Sequence, residues 1–232
     1  MQNPNLEQLT KTAMLLKPVL GELVFVGGAV TSLLVTDGAA GPPRPTLDVD
    51  AIVEVTSYAE YADFGDRLRE LGLTEDMSEG APVCRWVAGS AILDVMPLDA
   101  KILGFSNRWY RTAMDRATAV QLLDGIEIRV VTAPFFLATK IEAFKGRGKG
   151  DFFASHDLED FVFVVDGRPE IVDEVANETP ELIGYLRKEI ARLLRTEAFI
   201  DALPAYLLPD AASQARIEIV LERLKAMSRV VV

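Results

Sequence analysis

Two aspartates separated by one valine, Asp48 and Asp50, lie in the alternating segment TLDVDAIVEV. Side chains two residues apart on a β-strand project from the same face, so we expect both carboxylates to point into one space. Carboxylates this close repel each other, which raises a pKa or requires a cation. Asp94, within AILDVMPL, is a third acid with apolar neighbours on a predicted strand. Three acids on adjacent strands could hold two divalent metal ions for an in-line phosphoryl displacement.

A structural interpretation competes with this one. Asp48 and Asp50 could lie on an exposed strand face and pair with arginines, and an Asp-x-Asp motif taken alone favours that interpretation. The preceding glycine pair, Gly27 and Gly28, shifts the balance because it ends the apolar run ELVFV and opens a predicted helix. Glycines at such a turn let backbone N–H groups approach a phosphate. A glycine pair alone usually marks only a tight turn. A glycine pair that opens a helix and is followed by Arg-x-Thr-x-Asp-x-Asp on the next strand is a much more specific sign of a functional site.

The elements that must position these residues follow from the hydrophobic periodicity. Helices are predicted over 5–20, 29–36 and 57–71, and strands over 22–26, 46–55 and 125–132, with a hairpin around Ala88-Gly89-Ser90. From residue 133 onward the pattern is helical, over 134–146, 155–166, 169–177, 180–195 and 211–228. The sequence therefore predicts an α+β protein with a mixed β-sheet and flanking helices in residues 1–132, followed by a helical bundle in 133–232.

The composition restricts the possible chemistry. The chain has 232 residues, 50% of them hydrophobic and 25% charged, which is typical of a soluble globular protein. No apolar run reaches the roughly 20 residues of a membrane span, and the start lacks the layout of a signal peptide. Cys84 is the single cysteine, so we expect no intramolecular disulfide and a cytoplasmic location. His156 is the single histidine, which excludes zinc sites that need two histidines from one chain.

The charge is unevenly distributed along the chain. The formal net charge of −11 argues against broad, nonspecific binding of nucleic acid. Residues 101–150 nevertheless hold nine Lys and Arg against four acids, so this segment carries +5 and the remainder −16. A basic segment in an acidic protein indicates either a local anionic ligand or a solvated basic face, and the charge alone does not decide between them.

Two segments of the chain resemble a known family. VGGAV…RPTLDVD resembles the signature of the polymerase-beta-like nucleotidyltransferases, and its RPTLDVD form is closest to the AbiEii/AbiGii-type abortive-infection toxins. KIEAFKGRGKGDFFASHDLEDF resembles that family's downstream motif, with matches at Lys140, Arg147, Lys149, Asp151, Asp157 and Asp160. Together the segments span residues 25 to 161. The stretch TDGAAGPPRP makes the gap between Gly28 and Asp48 longer than is usual in the family.

The resemblance implies an activity and a set of roles. Asp48 and Asp50 would bind two Mg²⁺ ions, with Mn²⁺ as an alternative, and Asp94 would bind the catalytic metal and help to activate a substrate hydroxyl. That hydroxyl, for example an RNA or tRNA 3′ end, would attack the α-phosphate of an NTP and release pyrophosphate. Lys140 would pair with the triphosphate, while Asp157 or Asp160 would orient basic groups or the nucleotide. The expected nucleotide-binding set is Gly27, Gly28, Thr31, Ser32, Arg44, Thr46, Lys149, Asp157 and Asp160.

The resemblance also implies a toxin-like role with an antitoxin protein as a partner, in a toxin–antitoxin or phage-defence system. Two alternatives remain open at this stage. The same site could modify a small molecule, as aminoglycoside nucleotidyltransferases do, and the local rather than global basic charge permits this. The chain could also be a catalytically silent binding partner that keeps the fold.

Overall fold

The computed structural model describes residues 3–230, apart from the side chain of Asp124. Two compact units make up the chain. The first unit combines the residues up to Val30 with Arg44–Thr132, and the second combines Thr31–Pro43 with the residues from Ala133 onward. Within the described residues, no helix has both the length and the apolar character that crossing a membrane requires.

The first unit is built on a mixed, seven-stranded sheet with the strand order β3-β4-β5-β2-β1-β7-β6. β2 pairs with β5 and β1 with β7 in parallel, and the other neighbours are antiparallel. The strands are β1 (Leu23–Val26), β2 (Val49–Val53), β3 (Thr74–Glu75), β4 (Arg85–Ala88), β5 (Ala91–Pro97), β6 (Thr118–Gln121) and β7 (Glu127–Val130). The helices of this unit are α1 (Pro4–Leu15), α3 (Tyr58–Glu70), α4 (Ala100–Leu103) and α5 (Tyr110–Asp115).

The second unit is helical in the described residues. Its helices are α2 (Thr31–Leu34), α6 (Ala133–Arg147), α7 (His156–Gly167), α8 (Ile171–Ala176), α9 (Pro180–Leu194), α10 (Glu197–Ala202), α11 (Ala211–Ala215) and α12 (Ile217–Met227). The centre of the bundle is apolar, with side chains such as Phe136, Phe161 and Leu186 fully buried. The predicted fold class, a mixed sheet with flanking helices followed by a helical bundle, is confirmed.

Several element boundaries differ from the prediction. The helix expected over 5–20 ends at Leu15 and continues as a 3₁₀ turn over Lys17–Glu22, because Pro18 cannot donate the backbone hydrogen bond that an α-helix needs. The helix expected over 29–36 is a 3₁₀ turn over Gly28–Val30 followed by the four-residue α2. The helix expected over 211–228 is divided into α11 and α12, and α10 was not predicted at all.

The segment Thr31–Pro43 belongs to the second unit through contacts with the end of α7. The backbone N–H groups of Thr36 and Asp37 both donate to the carbonyl of Gly167 at 2.9 Å. A Cβ atom at Gly167 would lie 2.6 Å from a methyl carbon of Val35, so this close approach requires glycine. Arg216 donates to Asp37 at 2.6 Å and to Asp166 at 2.8 Å, which ties the segment to α7 by charge as well.

Asn5 on α1 holds the segment that leads into β2. Its Nδ2 donates to the carbonyl of Arg44 at 2.8 Å, and its Oδ1 accepts from the backbone N–H of Thr46 at 3.0 Å. Asn5 is buried, so these bonds satisfy backbone groups that lie outside any strand ladder. One turn later Gln8 donates to the carbonyl of Leu47. The residues just before Asp48 are therefore fixed by side chains of α1.

Replacement of Asn5 by alanine should lower the free energy of unfolding by about 1–3 kcal/mol, because two backbone groups lose their buried partner. Urea unfolding at pH 7 measures the effect. Gln8→Ala is the matched control, since its single bond to the same segment is solvent-exposed, and we expect it to cost less than about 1 kcal/mol. Equal losses in the two variants would contradict the role assigned to Asn5.

Candidate active site

Sheet register places three charged side chains in one row across three adjacent strands. Asp50 on β2 lies opposite Asp94 on β5, and Asp94 lies opposite Arg85 on β4. Directly paired residues project from the same face of a sheet, so the three side chains share one face. Asp48 stands two residues before Asp50, immediately ahead of β2, and reaches the same group. The structure thus brings Asp48, Asp50 and Asp94 together, and their role in binding metal stays a prediction.

Arg85 connects two of these carboxylates. Its Nε and Nη2 donate to Oδ1 and Oδ2 of Asp94, both at 2.8 Å, and Nη2 also donates to Oδ2 of Asp48 at 2.9 Å. Only 21% of the Arg85 side chain and 10% of the Asp94 side chain are exposed. The hydrogen bonds to Asp94 raise the pKa of the Arg85 guanidinium above its usual range. Arg85 was not among the predicted site residues.

The hairpin itself contained the signal for Arg85. A two-residue turn at Gly89 and Ser90 fixes the pairing of β4 with β5, and counting back from it sets Arg85 against Asp94. Gly89 has a φ of 59°, as the first position of a type II′ turn requires. The sequence predicts the hairpin, and the pairing of Arg85 with Asp94 follows once its strands are extended back to residue 85.

Two further residues shape the environment of the carboxylates. Thr46 Oγ1 donates to Asp48 Oδ1 at 2.7 Å. Gly27, at the end of β1, has a φ of 72°, and a Cβ atom built there would lie 1.8 Å from Oδ2 of Asp50. Glycine is required at this position both by the backbone conformation and by the neighbouring carboxylate. Gly28 is buried at the start of the 3₁₀ turn.

The neighbouring cysteine is not a nucleophile at neutral pH. Burial, assisted by the negative charges of Asp94 and Asp50, raises the pKa of the Cys84 thiol to about 12. Nucleophilic cysteine chemistry requires the thiolate, which is scarce at such a pKa. Any chemistry at this row therefore rests on the carboxylates, Arg85 and the backbone.

A second charged cluster lies within the second unit. Lys140 Nζ on α6 donates to Asp160 Oδ2 at 2.6 Å and contacts Asp157 Oδ1 at 3.5 Å. Arg147 donates from Nε and Nη2 to the two oxygens of Asp157, at 2.8 and 2.6 Å. Burial alone would raise the pKa of Asp157, but the hydrogen bonds and charges of Arg147 and Lys140 outweigh it and lower the pKa. The structure thus brings Lys140, Asp157 and Asp160 together as buried ion pairs.

The remaining predicted residues have varied environments. Thr31 and Ser32 begin α2 in the second unit, where Thr31 is buried and the Ser32 hydroxyl has no hydrogen-bond partner among the described residues. Lys149 is exposed in the loop after α6 and has a φ of 49°. Arg44 lies before β2, where its backbone carbonyl accepts from Asn5.

Asp48, Asp50 and Asp94 form what we call the carboxylate row. Its oxygen atoms are suitable ligands for a divalent cation, but the side chains are not arranged around a metal position. In the described part of the chain, no group of three or more His, Cys, Asp or Glu side chains is gathered to hold a metal ion. Arg85 stands between Asp48 and Asp94 instead. The donors are nevertheless carboxylate oxygens, which Mg²⁺ prefers, and the three acids exceed the one guanidinium in formal charge. Asp48, Asp50 and Asp94 could therefore hold a divalent ion if Arg85 moved.

The fold of the chain is similar to that of a solved nucleotidyltransferase-like protein. A crystal structure of an antigenic nucleotidyltransferase-like protein from Paracoccidioides brasiliensis is similar to this chain, with a TM-score of 0.52. The similarity covers 88% of this chain and 94% of that chain, at 20% sequence identity. No protein-family model matches the chain, and no curated protein matches it in sequence. This similarity is one of fold.

Proposed function

We propose that the protein is a metal-dependent nucleotidyltransferase that transfers NMP from an NTP to a hydroxyl acceptor. The observation that carries this proposal is the row of Asp50 and Asp94 in register on β2 and β5, with Asp48 beside it. The nucleotidyltransferase-like fold supports it. Gly27 adds support, because its missing side chain leaves room for the carboxylate of Asp50.

The proposed reaction is an in-line displacement at phosphorus. The acceptor oxygen forms a bond to the α-phosphorus, the bond from that phosphorus to the bridging oxygen breaks, and pyrophosphate leaves. Asp48, Asp50 and Asp94 would hold Mg²⁺ or Mn²⁺, which would neutralise charge on the triphosphate and on the leaving group. The hydrogen bond from the Thr46 hydroxyl orients Asp48. Thr46 is itself held by the hydrogen bond from its backbone N–H to Asn5 of α1. Asp94, once released from Arg85, is our candidate for accepting the proton that the acceptor hydroxyl gives up.

The finer points of the proposal come from the sequence. We propose a toxin-like role, an RNA or tRNA acceptor and an antitoxin partner from the resemblance of the sequence motifs, and a cytoplasmic location from the single cysteine. We also propose that Lys140, Lys149, Asp157 and Asp160 contribute to nucleotide binding, and the buried ion pairs of Lys140 with Asp157 and Asp160 hold three of these groups together.

A labelling experiment tests the proposal. Wild type and Asp50→Asn are incubated with each of the four α-³²P-labelled NTPs, Mg²⁺ and total RNA, and the products are separated by size. We expect the wild type to label an acceptor and Asp50→Asn to do so at least about 100-fold more slowly, as expected for a lost metal ligand. Glu54→Gln, an exposed acid near the end of β2 paired with Arg111, is the control and should stay active.

Each outcome separates the candidate functions. Label in RNase-sensitive material supports an RNA acceptor. Label in a small product that resists RNase, with a panel of hydroxyl-bearing small molecules added, favours a small-molecule transferase. Equal labelling by wild type and Asp50→Asn contradicts the assigned site. Absence of both labelling and NTP binding by calorimetry favours a silent binding partner with this fold.

A further inference from the structure

Arg85 occupies the position at which a cation would neutralise the carboxylate row. The β4–β5 register sets its guanidinium against Asp94, and the same guanidinium reaches Asp48. Arginine binds a carboxylate through two parallel hydrogen bonds, and the Asp94 contact has this form. The pairing is thus built by the sheet itself and does not depend on a flexible loop.

The oxygens of the two paired acids are already used as hydrogen-bond acceptors. Asp94 accepts from Arg85 at both oxygens, and Asp48 accepts from Thr46 at Oδ1 and from Arg85 at Oδ2. A divalent ion that shared these oxygens with Arg85 would stand within a few ångströms of the guanidinium. Like charges at that distance repel, and the repulsion is strengthened by the low exposure of the Arg85 and Asp94 side chains, 21% and 10%. Arg85 and a divalent ion therefore compete for Asp48 and Asp94.

We propose that Arg85 is an internal counter-cation of the carboxylate row, which holds Asp48 and Asp94 until a divalent ion displaces it. This inference rests on the proposed function, because it assumes that the row binds a metal. Without a metal, Arg85 relieves the repulsion among the acids and keeps them in position. With a metal, it gives up at least the contact with Asp48. Arg85 is in this sense a positioning residue that sets the metal affinity.

The test measures metal binding directly. Mn²⁺ binding to wild type, Arg85→Gln and Arg111→Gln is followed by electron paramagnetic resonance, and thermal melting is recorded in EDTA and in Mn²⁺. Arg111 is the control because it lies in the same unit and forms an exposed pair with Glu54. We expect Arg85→Gln to bind Mn²⁺ about tenfold more tightly than wild type, because a competing positive charge is lost. Its melting temperature should be lower in EDTA and should rise more on addition of Mn²⁺.

A second measurement does not depend on the folding of Arg85→Gln. The Nε–H resonance of Arg85 in ¹⁵N-labelled wild type, assigned with Arg85→Lys, should shift or broaden when Mg²⁺ is added. Arg85→Lys keeps the charge but loses the paired hydrogen bonds, so its Mn²⁺ affinity should fall between those of wild type and Arg85→Gln. An unchanged resonance, or an Arg85→Gln variant that binds Mn²⁺ no more tightly than wild type, overturns the inference.

The outcomes distinguish this inference from the proposed function. Nucleotidyl transfer by the wild type with equal Mn²⁺ affinity in wild type and Arg85→Gln refutes the counter-cation role and leaves the transferase proposal intact. The expected gain in Mn²⁺ affinity without any nucleotidyl transfer refutes the transferase and leaves the counter-cation role intact. Absence of Mn²⁺ binding in both proteins overturns the counter-cation role and the metal site together.

Discussion

Replacing Lys140 by methionine should lower the free energy of unfolding by about 3–5 kcal/mol, the cost typical of removing one partner of a buried ion pair. Lys140 is 6% exposed, and its partners Asp157 and Asp160 are 6% and 2% exposed. Methionine keeps an unbranched apolar chain beside Phe136, whose ring centroid lies 5.5 Å from Lys140 Nζ. The expected loss therefore comes from the lost ion pairs of Lys140 with Asp157 and Asp160, and not from a cavity.

The matched control for Lys140 is Lys145 on the same helix. Its ammonium also lies over an aromatic ring, that of Tyr185, and pairs with Glu142 at 2.8 Å, but 38% of its side chain is exposed. Exposed pairs contribute little, so Lys145→Met should cost no more than about 1 kcal/mol in denaturant unfolding at pH 7. Equal costs for the two lysines would contradict the argument from burial. The double variant Lys140→Met/Asp160→Asn should recover part of the loss, since it removes the charge of the carboxylate that lies 2.6 Å from Lys140 Nζ.

The pH dependence of the Lys140 effect has a definite sign. The folded-state pKa of Asp157 is below its ordinary value of 3.8, with Lys140 among the causes. Such a group contributes stability above pH 3.8 that is lost as the pH falls through the folded-state pKa. The difference between wild type and Lys140→Met should accordingly be largest at neutral pH and shrink below about pH 4. Because Lys140 stabilises the fold, its effect on NTP affinity must be measured under conditions where the variant is folded.

Local features of the fold were accessible from the sequence. The N-cap of α3 is one example, because Ser57 precedes a helical pattern, and its hydroxyl accepts from the backbone N–H of Glu60. The β4–β5 hairpin is another, because a two-residue turn with glycine first separates two alternating runs. In both cases the residues that specify the structure lie within a few positions of one another, so no tertiary contact had to be known.

Features that depend on distant partners could not be predicted from local patterns. The sequence grouped Asp94 with Asp48 and Asp50, but it did not give the parallel register of β2 and β5 that sets Asp50 opposite Asp94, because α3 and the β3–β4 region separate the two strands. The role of Asn5 depends on a segment about 40 residues away in the sequence. The position of residues 31–43 in the second unit depends on Gly167 and Arg216, for which a local pattern gives no signal. Each of these three features is determined by hydrogen bonds between residues far apart in the sequence.

Replacing Gly27 by alanine should disrupt the candidate active site. The new Cβ atom would stand 1.8 Å from Asp50 Oδ2, and the φ of 72° is unfavourable for alanine. Asp50 must move, or β1 must shift. A displacement of about 1 Å at a reacting centre can cost about 100-fold in rate, so we expect nucleotidyl transfer to fall by at least that factor. Stability should fall by about 2–5 kcal/mol, from backbone strain and overpacking together.

Two other glycines of the first unit separate these causes. Gly72 also has a positive φ, 86°, but open space surrounds its Cβ position, so Gly72→Ala isolates the backbone strain and should cost about 1–2 kcal/mol with transfer unchanged. Gly21 has open space and no positive φ, so Gly21→Ala should change stability by no more than about 1 kcal/mol. Urea unfolding, the labelling assay and Mn²⁺ binding are measured on all three. If Gly27→Ala matched Gly72→Ala in every measurement, the contact between residue 27 and Asp50 would have no part in the site. If it lost transfer and Mn²⁺ binding while Gly72→Ala kept both, the carboxylate of Asp50 beside that glycine would be the group on which the metal site depends.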